Sequence, residues 1–308
     1  MLNTMHTKLC LAAIAVAALA GCATSTKPGA VGVTRSQLLI VPASEVDAMA
    51  LTDFSNQNQK AKSAGRLLTS GAEYNRVARI AKALQVQVPV FREDAKDWKW
   101  ELALIDAPVL NATCAPGGKI TFYTGLIRKL KLTDDEIAMV MGHEIAHALR
   151  EHGRERMSQA KAAGGLTAIA SVLAPAKGLE VAVASEASHY LFTLPNSRQH
   201  ESEADTMGLE LAARAGYNPR AAMSVWEKMA AESGGAGGPE FLSTHPADAT
   251  RIASLTAMQP RVLPLYEAAA RPEAAAGADA AKAPEAAKRP EAGKRKKAAK
   301  RKEAAKAQ

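Results

Sequence analysis

The sequence predicts a mainly helical α+β domain that carries a small antiparallel β-sheet. Hydrophobic residues make up 47% of the 308-residue chain but aromatic residues only 4%, so much of the apolar content is alanine, which favours helix. Several segments carry apolar residues at helical spacing. The stretch from Trp98 to Ile105 instead alternates between apolar and polar residues, and a glycine-containing turn follows at residues 115–119, as in strands and hairpins.

The N-terminus has the features of an export signal. A basic residue precedes an apolar run from Leu9 to Ala20, which is too short to span a bilayer. The run ends in Leu-Ala-Gly before Cys22, which resembles the lipobox of bacterial lipoproteins, and Ala23 fits the pattern that directs such proteins to the outer membrane. We therefore predict a lipoprotein signal peptide over residues 1–21, lipidation of Cys22 and a tether over residues 22–36. An ordinary signal peptide that leaves a free thiol is the alternative.

The remaining chain divides by composition into a folded domain and a basic tail. Residues 37–267 are predicted to form one domain. Residues 268–308 contain twelve Lys or Arg and five Asp or Glu, which is seven of the eight net positive charges of the chain. Because this tail has no large apolar residue, we expect it to be disordered. Nucleic-acid binding is not expected, and the tail is either a solvated spacer or a segment attracted to anionic envelope surfaces.

The elements before residue 130 follow from periodicity and turn signals. The predicted helices and strands are a strand at 37–42, helices at 44–54 and 58–85, a half-buried strand at 98–105, and a hairpin that joins 109–113 to 120–123. Cys114, at the end of the first hairpin strand, has no partner for an intramolecular disulfide once Cys10 leaves with the signal and Cys22 carries lipid.

Leu132 to Gln159 is predicted to be one amphipathic helix that carries an HExxH motif. Thr133 and the glutamate three residues later form a capping box at its start. His143 and His147 lie four residues apart, so their imidazoles share one face and can bind a single metal ion. Glu144 then lies beside the open position of the metal, where a carboxylate can take a proton from water. Two solvated histidines on a surface helix are the alternative.

A second helix offers a third metal ligand. Asn196 is predicted to cap this helix, and Glu201 and Asp205 share one of its faces. Glu203 points away, as a solvated or salt-bridging residue. Glu201 is the predicted third ligand, and Asp205 is expected to orient a ligating histidine through its other ring nitrogen. Two histidines and one glutamate leave a fourth position for water, so the predicted cofactor is one catalytic Zn²⁺ per chain.

These motifs together resemble the M48 family of zinc metallopeptidases. HExxH, a later ExxAD, a preceding Asn-Ala strand that runs into Pro-Gly-Gly, and a following Thr-His-Pro segment occur in the order of that family, from about Leu102 to Leu255. The resemblance implies a zincin-like metalloprotease fold of the gluzincin group and cleavage of peptide bonds. The most similar subgroup is that of envelope lipoproteins without tandem repeats.

The resemblance also implies roles for residues outside the helices. Asn111 and Ala112 are expected to border the cleft and hold an extended peptide as an added strand, although Asn111 can also be an ordinary strand residue. His245, in the Thr-His-Pro segment, would donate to the oxyanion of the reaction or act as a fourth ligand that keeps the enzyme latent; a surface histidine is the alternative. Residues 185–195 are expected to cover the cleft, and Arg251 to pair with a carboxylate.

The resulting functional prediction is a lipid-anchored zinc endopeptidase on the periplasmic face of the outer membrane. By the same resemblance, its substrates are misfolded or unassembled envelope proteins that bind in extended form. Two alternatives stay open. One is a chaperone or adaptor for outer-membrane protein assembly with a latent zinc site, and the other is a zinc amidase that acts on cell-wall peptides, since HExxH defines hydrolysis better than substrate.

Overall fold

The computed structural model describes residues 22–163, 194–232, 240–246 and 249–280. The predicted signal peptide, most of the segment expected over the cleft and the tail beyond residue 280 lie outside these ranges. The chain divides into two compact units, Met1–Arg271 and Pro272–Gln308. The site discussed below belongs entirely to the first unit.

The fold class predicted from the sequence is confirmed, because helices dominate and the strands are short. The strands are β1 (Cys22–Ala23), β2 (Gln37–Leu38), β3 (Leu67–Leu68), β4 (Glu101–Ile105), β5 (Ala112–Ala115) and β6 (Lys119–Tyr123). The helices are α1 (Ala43–Ser63), α2 (Ala72–Gln85), α3 (Thr124–Lys129), α4 (Asp134–Leu149), α5 (His152–Ala162), α6 (Arg198–Arg214), α7 (Ala221–Glu232), α8 (Glu240–Thr244) and α9 (Ala249–Ala280), with 3-10 turns at Val88–Val90 and Glu93–Asp97.

The main sheet is mixed, which corrects the prediction of an antiparallel sheet. Its strand order is β3-β4-β6-β5, with β3–β4 and β5–β6 antiparallel but β4–β6 parallel. The predicted hairpin of β5 and β6 is present. It folds back so that β6, rather than β5, lies beside β4, and the two strands then run in the same direction. As a result β5 is left as an edge strand, and it packs next to α4.

The centre of the first unit is the crossing of α4 and α6. Met141 and Ile145 of α4 are fully buried in the main hydrophobic core. The two helix backbones meet at Gly142 and Gly208, where a Cβ on Gly208 would lie 2.6 Å from the backbone nitrogen of His143. This close approach brings the HExxH face of α4 directly against α6.

The predicted helix from Leu132 to Gln159 is two helices. The capping box at Thr133 is confirmed, but α4 ends at Leu149 and α5 begins at His152. Between them Glu151 adopts the left-handed conformation, with φ 52°. A non-glycine residue in this conformation turns the chain out of the helix path. The helix that carries the HExxH motif therefore ends two residues after His147.

The predicted helix at 58–85 is also interrupted. Gly65 and Gly71 have φ values of +67° and +96°, which permit the chain to leave α1 and to enter α2. The two leucines between them, which have helical spacing in the sequence, form β3 and pair with β4.

The segment predicted as a tether is packed within the first unit. Val31 is buried in the main core, and its backbone N–H donates to Glu210. Arg35 forms ion pairs with Glu155 and Glu203. Buried apolar and charged partners of this kind hold the segment in place. The small and polar residues of its sequence do not predict this packing.

The backbone of α9 continues past residue 268, where the tail is predicted to begin. It is helical through Ala280, and the alanines of this stretch favour helix. The rest of the predicted tail lies outside the described ranges.

Candidate metal centre

Three polar side chains of the HExxH motif point into the protein from one face of α4. His143, Glu144 and His147 are 4%, 4% and 9% exposed. The two imidazoles meet with Nε2 of His143 3.0 Å from Nε2 of His147. Since a neutral imidazole nitrogen of this kind carries a lone pair, two such atoms directed at one point form half of a metal site.

Glu201 of α6 and His245 after α8 complete a group of four. Nδ1 of His245 lies 3.1 Å from Nε2 of His143 and 3.0 Å from Oε1 of Glu201. Oε1 of Glu201 lies 3.3 Å from Nε2 of His147. One ligand atom from each of these four buried residues lies within 4.8 Å of the others.

The spacing of neighbouring ligand atoms is compatible with one zinc ion. Ligand atoms about 2.0 Å from a zinc ion stand about 3.3 Å from one another at the corners of a tetrahedron. Four of the six distances among these atoms, 3.0 to 3.3 Å, are close to that edge length. The donor set of three imidazole nitrogens and one carboxylate oxygen is also one that zinc accepts.

His143 is held from behind by a carboxylate. Its Nδ1 lies 3.0 Å from Oδ1 of Asp205, and Asp205 accepts two hydrogen bonds of 2.7 Å from Arg251. Burial disfavours the charged form of His143, but hydrogen bonds with Asp205 and Glu201 outweigh it and raise its pKa to about 9. These carboxylates therefore favour positive charge at this point, which a divalent cation also supplies. The predicted pairing of Arg251 with a carboxylate is confirmed.

The ring nitrogen of His147 that points away from the metal site contacts a further histidine, which the sequence does not predict. Nδ1 of His147 lies 2.8 Å from Nδ1 of His152, and Nε2 of His152 lies 3.1 Å from Oε2 of Glu203. Burial lowers the pKa of both imidazoles well below its ordinary value. Glu203 is buried and bound by Arg150 and Arg35, so the prediction of a salt-bridging residue is right and that of a solvated one is wrong.

Glu144 faces a cleft of about 530 Å³. Its Oε1 atom has no hydrogen-bond partner among the described residues, although Nε2 of His245 lies 3.4 Å away. Burial raises the pKa of Glu144, while a hydrogen bond from the backbone of Cys114 acts in the opposite direction. A carboxylate with an available oxygen and a raised pKa is suited to accept and return a proton.

The edge strand β5 forms one wall of this cleft. Asn111 precedes the strand, and its backbone oxygen accepts a hydrogen bond from Tyr123 of β6. By the alternation of an antiparallel pair, the backbone N–H groups of Ala112 and Cys114 then point to the free edge. The side-chain oxygen of Asn111 accepts from the first of these, and the carboxylate of Glu144 from the second.

Arg156 of α5 is a further cleft residue that the sequence analysis did not identify. It lines the cleft together with Glu144 and His245. Burial lowers its pKa to about 10, against the opposing charges of Glu201 and Glu144. Its guanidinium donates to Asn196. Asn196 is therefore not the helix cap that the sequence predicts; Ser197 caps α6 by accepting from the backbone N–H of His200.

The structure thus brings together five of the predicted site residues, namely His143, Glu144, His147, Glu201 and His245, with Asp205 directly behind them. Asn111 and Ala112 lie on the neighbouring strand. Cys22 lies apart in β1, where it pairs with Leu38 of β2. No helix among the described residues is both long and apolar enough to cross a bilayer.

Comparison with known proteins places the same region in a family. The model of peptidase family M48 matches residues 73–259. Mitochondrial metalloendopeptidase OMA1 of Arabidopsis thaliana is 38% identical over 152 residues, which are 49% of this chain and 30% of that protein. OMA1 of Saccharomyces cerevisiae is 34% identical over 176 residues, 55% of this chain and 50% of that protein.

A bacterial relative is more distant in sequence. The β-barrel assembly-enhancing protease of Escherichia coli is 28% identical over 158 residues, 49% of this chain and 32% of that protein. The chain spans between about a third and a half of the length of these curated relatives. The family predicted from the motif order is confirmed, and with it zinc as the metal of the site.

Proposed function

The chain belongs to peptidase family M48, and we propose that it is a zinc endopeptidase whose metal is held by His143, His147 and Glu201. The observation that supports this most strongly is the close approach of buried ligand atoms from α4 and α6, with Nε2 of His147 3.0 Å from Nε2 of His143 and 3.3 Å from Oε1 of Glu201. Asp205 orients His143 by accepting the proton of its Nδ1.

The proposed chemistry assigns the proton transfers to Glu144. Bound zinc supplies a Lewis acid that polarises a peptide carbonyl and lowers the pKa of water. Glu144 accepts the proton of the attacking water at its carboxylate and returns it to the amine of the leaving peptide. The burial that raises the pKa of Glu144 makes its carboxylate a stronger base and so favours the first of these transfers, because the protonated form is less costly in a dry site.

His245 is proposed to be the fourth ligand of a latent enzyme. Its Nδ1 lies among the other three ligand atoms, in contact with His143 and Glu201. Its ring stacks on Phe241 with centroids 4.3 Å apart, and its backbone N–H donates to the carbonyl of the same residue. This position favours the fourth-ligand role over that of an oxyanion donor, and substrate would have to displace the ring.

Replacement of His245 by alanine separates the two roles. If the imidazole blocks the site, we expect His245→Ala to cleave an unfolded protein such as casein faster than wild type, by about tenfold or less. If the imidazole stabilises the oxyanion, cleavage should instead fall by about 100-fold. Phe241→Leu, which removes the stacked ring but leaves the imidazole, is the matched variant and should give a smaller change in the same direction.

Substrate is proposed to bind as an added strand along β5. The free-edge N–H of Ala112 is held by the side chain of Asn111, and the small side chain of Ala112 allows close approach of a second backbone. An incoming peptide carbonyl would take the place of the Asn111 oxygen. Recognition of main chain in this way suits extended segments of many sequences, and therefore unfolded protein.

The location and natural substrates are proposed from the sequence and the bacterial relative. Cys22 is the proposed lipid attachment site, which would hold the enzyme at the periplasmic face of the outer membrane. The name of the Escherichia coli relative refers to β-barrel assembly. We propose misfolded or unassembled envelope proteins as the substrate class, and an association of the basic tail with anionic envelope surfaces.

Glu144→Gln tests the proposed activity. The amide keeps the shape of the side chain but cannot accept the proton, so we expect at least about a 100-fold loss of casein cleavage with zinc content unchanged. Glu227→Gln, on the exposed face of α7, is the control and should leave both unchanged. Full cleavage by Glu144→Gln would overturn the proposed role of this residue.

The same variant separates the peptidase from the alternative functions. A chaperone or adaptor with a latent zinc site would still complement a deletion strain as Glu144→Gln, whereas an endopeptidase would not. Peptides that accumulate only in the inactive strain would identify natural substrates. Accumulation of cell-wall peptides in place of protein fragments would identify an amidase.

A further inference from the structure

We propose that His152 and Glu203 are positioning residues that act on the metal through His147. This inference rests on the proposed zinc site. The two residues would hold the ring of His147, the second histidine of the motif, and neither would touch metal or substrate.

The position of His152 depends on the chain turn at Glu151. In one continuous helix, a residue five positions after His147 would point about 140° away from it. The left-handed conformation of Glu151 instead starts a new helix whose first residue folds back on α4. The rings of His147 and His152 stand edge to face with centroids 4.8 Å apart, and their Nδ1 atoms are 2.8 Å apart.

This contact determines where each proton lies. His147 directs Nε2 at the metal site, so its proton must be on Nδ1 when Nε2 acts as a ligand. The partner of that N–H among the described residues is Nδ1 of His152, which must therefore be an unprotonated acceptor. The remaining proton of His152 is then on Nε2, where it donates to Oε2 of Glu203.

The chain of hydrogen bonds ends in a fixed carboxylate. Oε2 of Glu203 also accepts from Arg150, whose side chain is fully buried, at 3.0 Å. Arg35 binds the other oxygen of Glu203. Its two guanidinium partners hold the carboxylate of Glu203 in place. It therefore fixes the tautomer of His152 and, through it, the ring orientation of His147.

Three residues beside His147 and Glu203 have the spacing of a second metal site, but the charges around them disfavour metal binding. His152, Glu155 and His200 each place a ligand atom within 4.8 Å of the others. However, Arg35 already binds Glu155 through two nitrogens. A cation placed there would displace or face this guanidinium, which like-charge repulsion makes unfavourable.

The test is the rate at which the zinc-loaded full chain loses zinc to an excess of chelator. His152→Phe keeps a ring of similar size but removes the acceptor, so we expect zinc loss about 10- to 100-fold faster than from wild type. His152→Gln retains an oxygen that can accept from His147 and should restore most of the difference.

His200→Phe is the matched control. His200 stacks on His152 with centroids 4.3 Å apart and lies 3.2 Å from Glu155, so it shares the pocket but not the hydrogen bond to His147. We expect its zinc loss to stay within about threefold of wild type. Circular dichroism and the thermal midpoint of each variant report folding independently of metal.

Three results would overturn the proposal. The first is wild-type behaviour of His152→Phe, and the second is an equal acceleration in both Phe variants, which would indicate packing alone. The third is a second zinc per chain that His200→Phe removes. Each of them leaves the proposed peptidase intact, whereas a wild-type chain that holds no zinc would overturn both.

Discussion

The two histidines of one HExxH motif are supported in different ways. His143 is backed directly by the Asp205 carboxylate, which Arg251 neutralises. His147 is backed by a neutral imidazole, and the carboxylate of Glu203 stands one residue further away. We call these the Asp205 side and the His152 side. The HExxH motif thus specifies which atoms face the metal. The groups that hold those atoms come from other parts of the chain, and their identity depends on how α5 and α6 pack against α4.

The largest effect on zinc binding is expected where both sides depend on one contact. Gly208→Ala would place a Cβ 2.6 Å from the backbone nitrogen of His143, so α4 and α6 must separate. Overpacking of this kind costs about 1–3 kcal/mol, and more where backbone opposes backbone. We expect a lower thermal midpoint and loss of zinc, because Glu201 moves away with α6.

Ser202→Ala is the control for that variant. Ser202 is exposed on the same helix, so alanine there should change the free energy of unfolding by less than about 0.5 kcal/mol. Zinc retention by Gly208→Ala would show that the helix crossing does not set the ligand spacing.

The Asp205 side should contribute more than the His152 side. Asp205→Ala leaves the buried Arg251 without two hydrogen bonds and His143 without its acceptor. Removal of one partner of a buried ion pair costs about 3–5 kcal/mol. Zinc should dissociate faster from this variant than from His152→Phe under the same chelator. Equal rates of zinc loss from the two variants would show that a charged supporting group holds its histidine no better than a neutral one.

A smaller and pH-dependent effect is expected from Arg35→Met on the His152 side. Burial raises the pKa of Glu155, but hydrogen bonds from Arg35, His200 and Gln37 outweigh it and hold the pKa well below its ordinary 4.5. A carboxylate with a lowered folded-state pKa stabilises the fold above its unfolded pKa, and this stability is lost as the pH falls. Without Arg35 the pKa rises toward 4.5, so the variant should be less stable by about 1–2 kcal/mol at neutral pH.

Thermal unfolding as a function of pH checks this prediction. The difference between wild type and Arg35→Met should be full above about pH 5 and shrink steadily below it, as Glu155 becomes protonated in both proteins. A difference that is constant with pH would mean that Arg35 acts through packing alone.

The smallest effect is expected at Cys114, which belongs to neither side. Burial raises the pKa of its thiol well above 9.0, and the nearby Glu144 carboxylate adds to this. The thiolate is therefore scarce near neutral pH, and alkylation of the native chain should be at least about tenfold slower than that of the unfolded chain. Rapid alkylation of the native protein would indicate that β5 opens the cleft wall to solvent.

The sequence predicts the Asp205 side well because its information is local. Glu201 and Asp205 lie four residues apart in one helix, so helical geometry alone places them on one face. The capping box at Thr133 is equally local and is confirmed. The family is confirmed too, since the motifs occur in the order that it requires.

The sequence does not predict the His152 side, because the features that determine it are not periodic. Nothing in the spacing of apolar residues shows that Glu151 leaves the helix, and this single left-handed residue decides where His152 points. The sequence places Arg35 in a tether for a similar reason, since its buried partners lie more than a hundred residues away in the chain. The signal that the sequence does offer is the position of His152 and Glu155 shortly after the motif, between Arg150 and Arg156.

The most direct test of the proposed site is the zinc content of the purified full chain, measured by elemental mass spectrometry without chelators. We expect about one zinc ion per wild-type chain, almost none in Glu201→Ala, and about one in the exposed control Glu227→Ala. Zinc retained by Glu201→Ala, or absent from wild type, would contradict the convergence of α4 and α6 on a single metal ion.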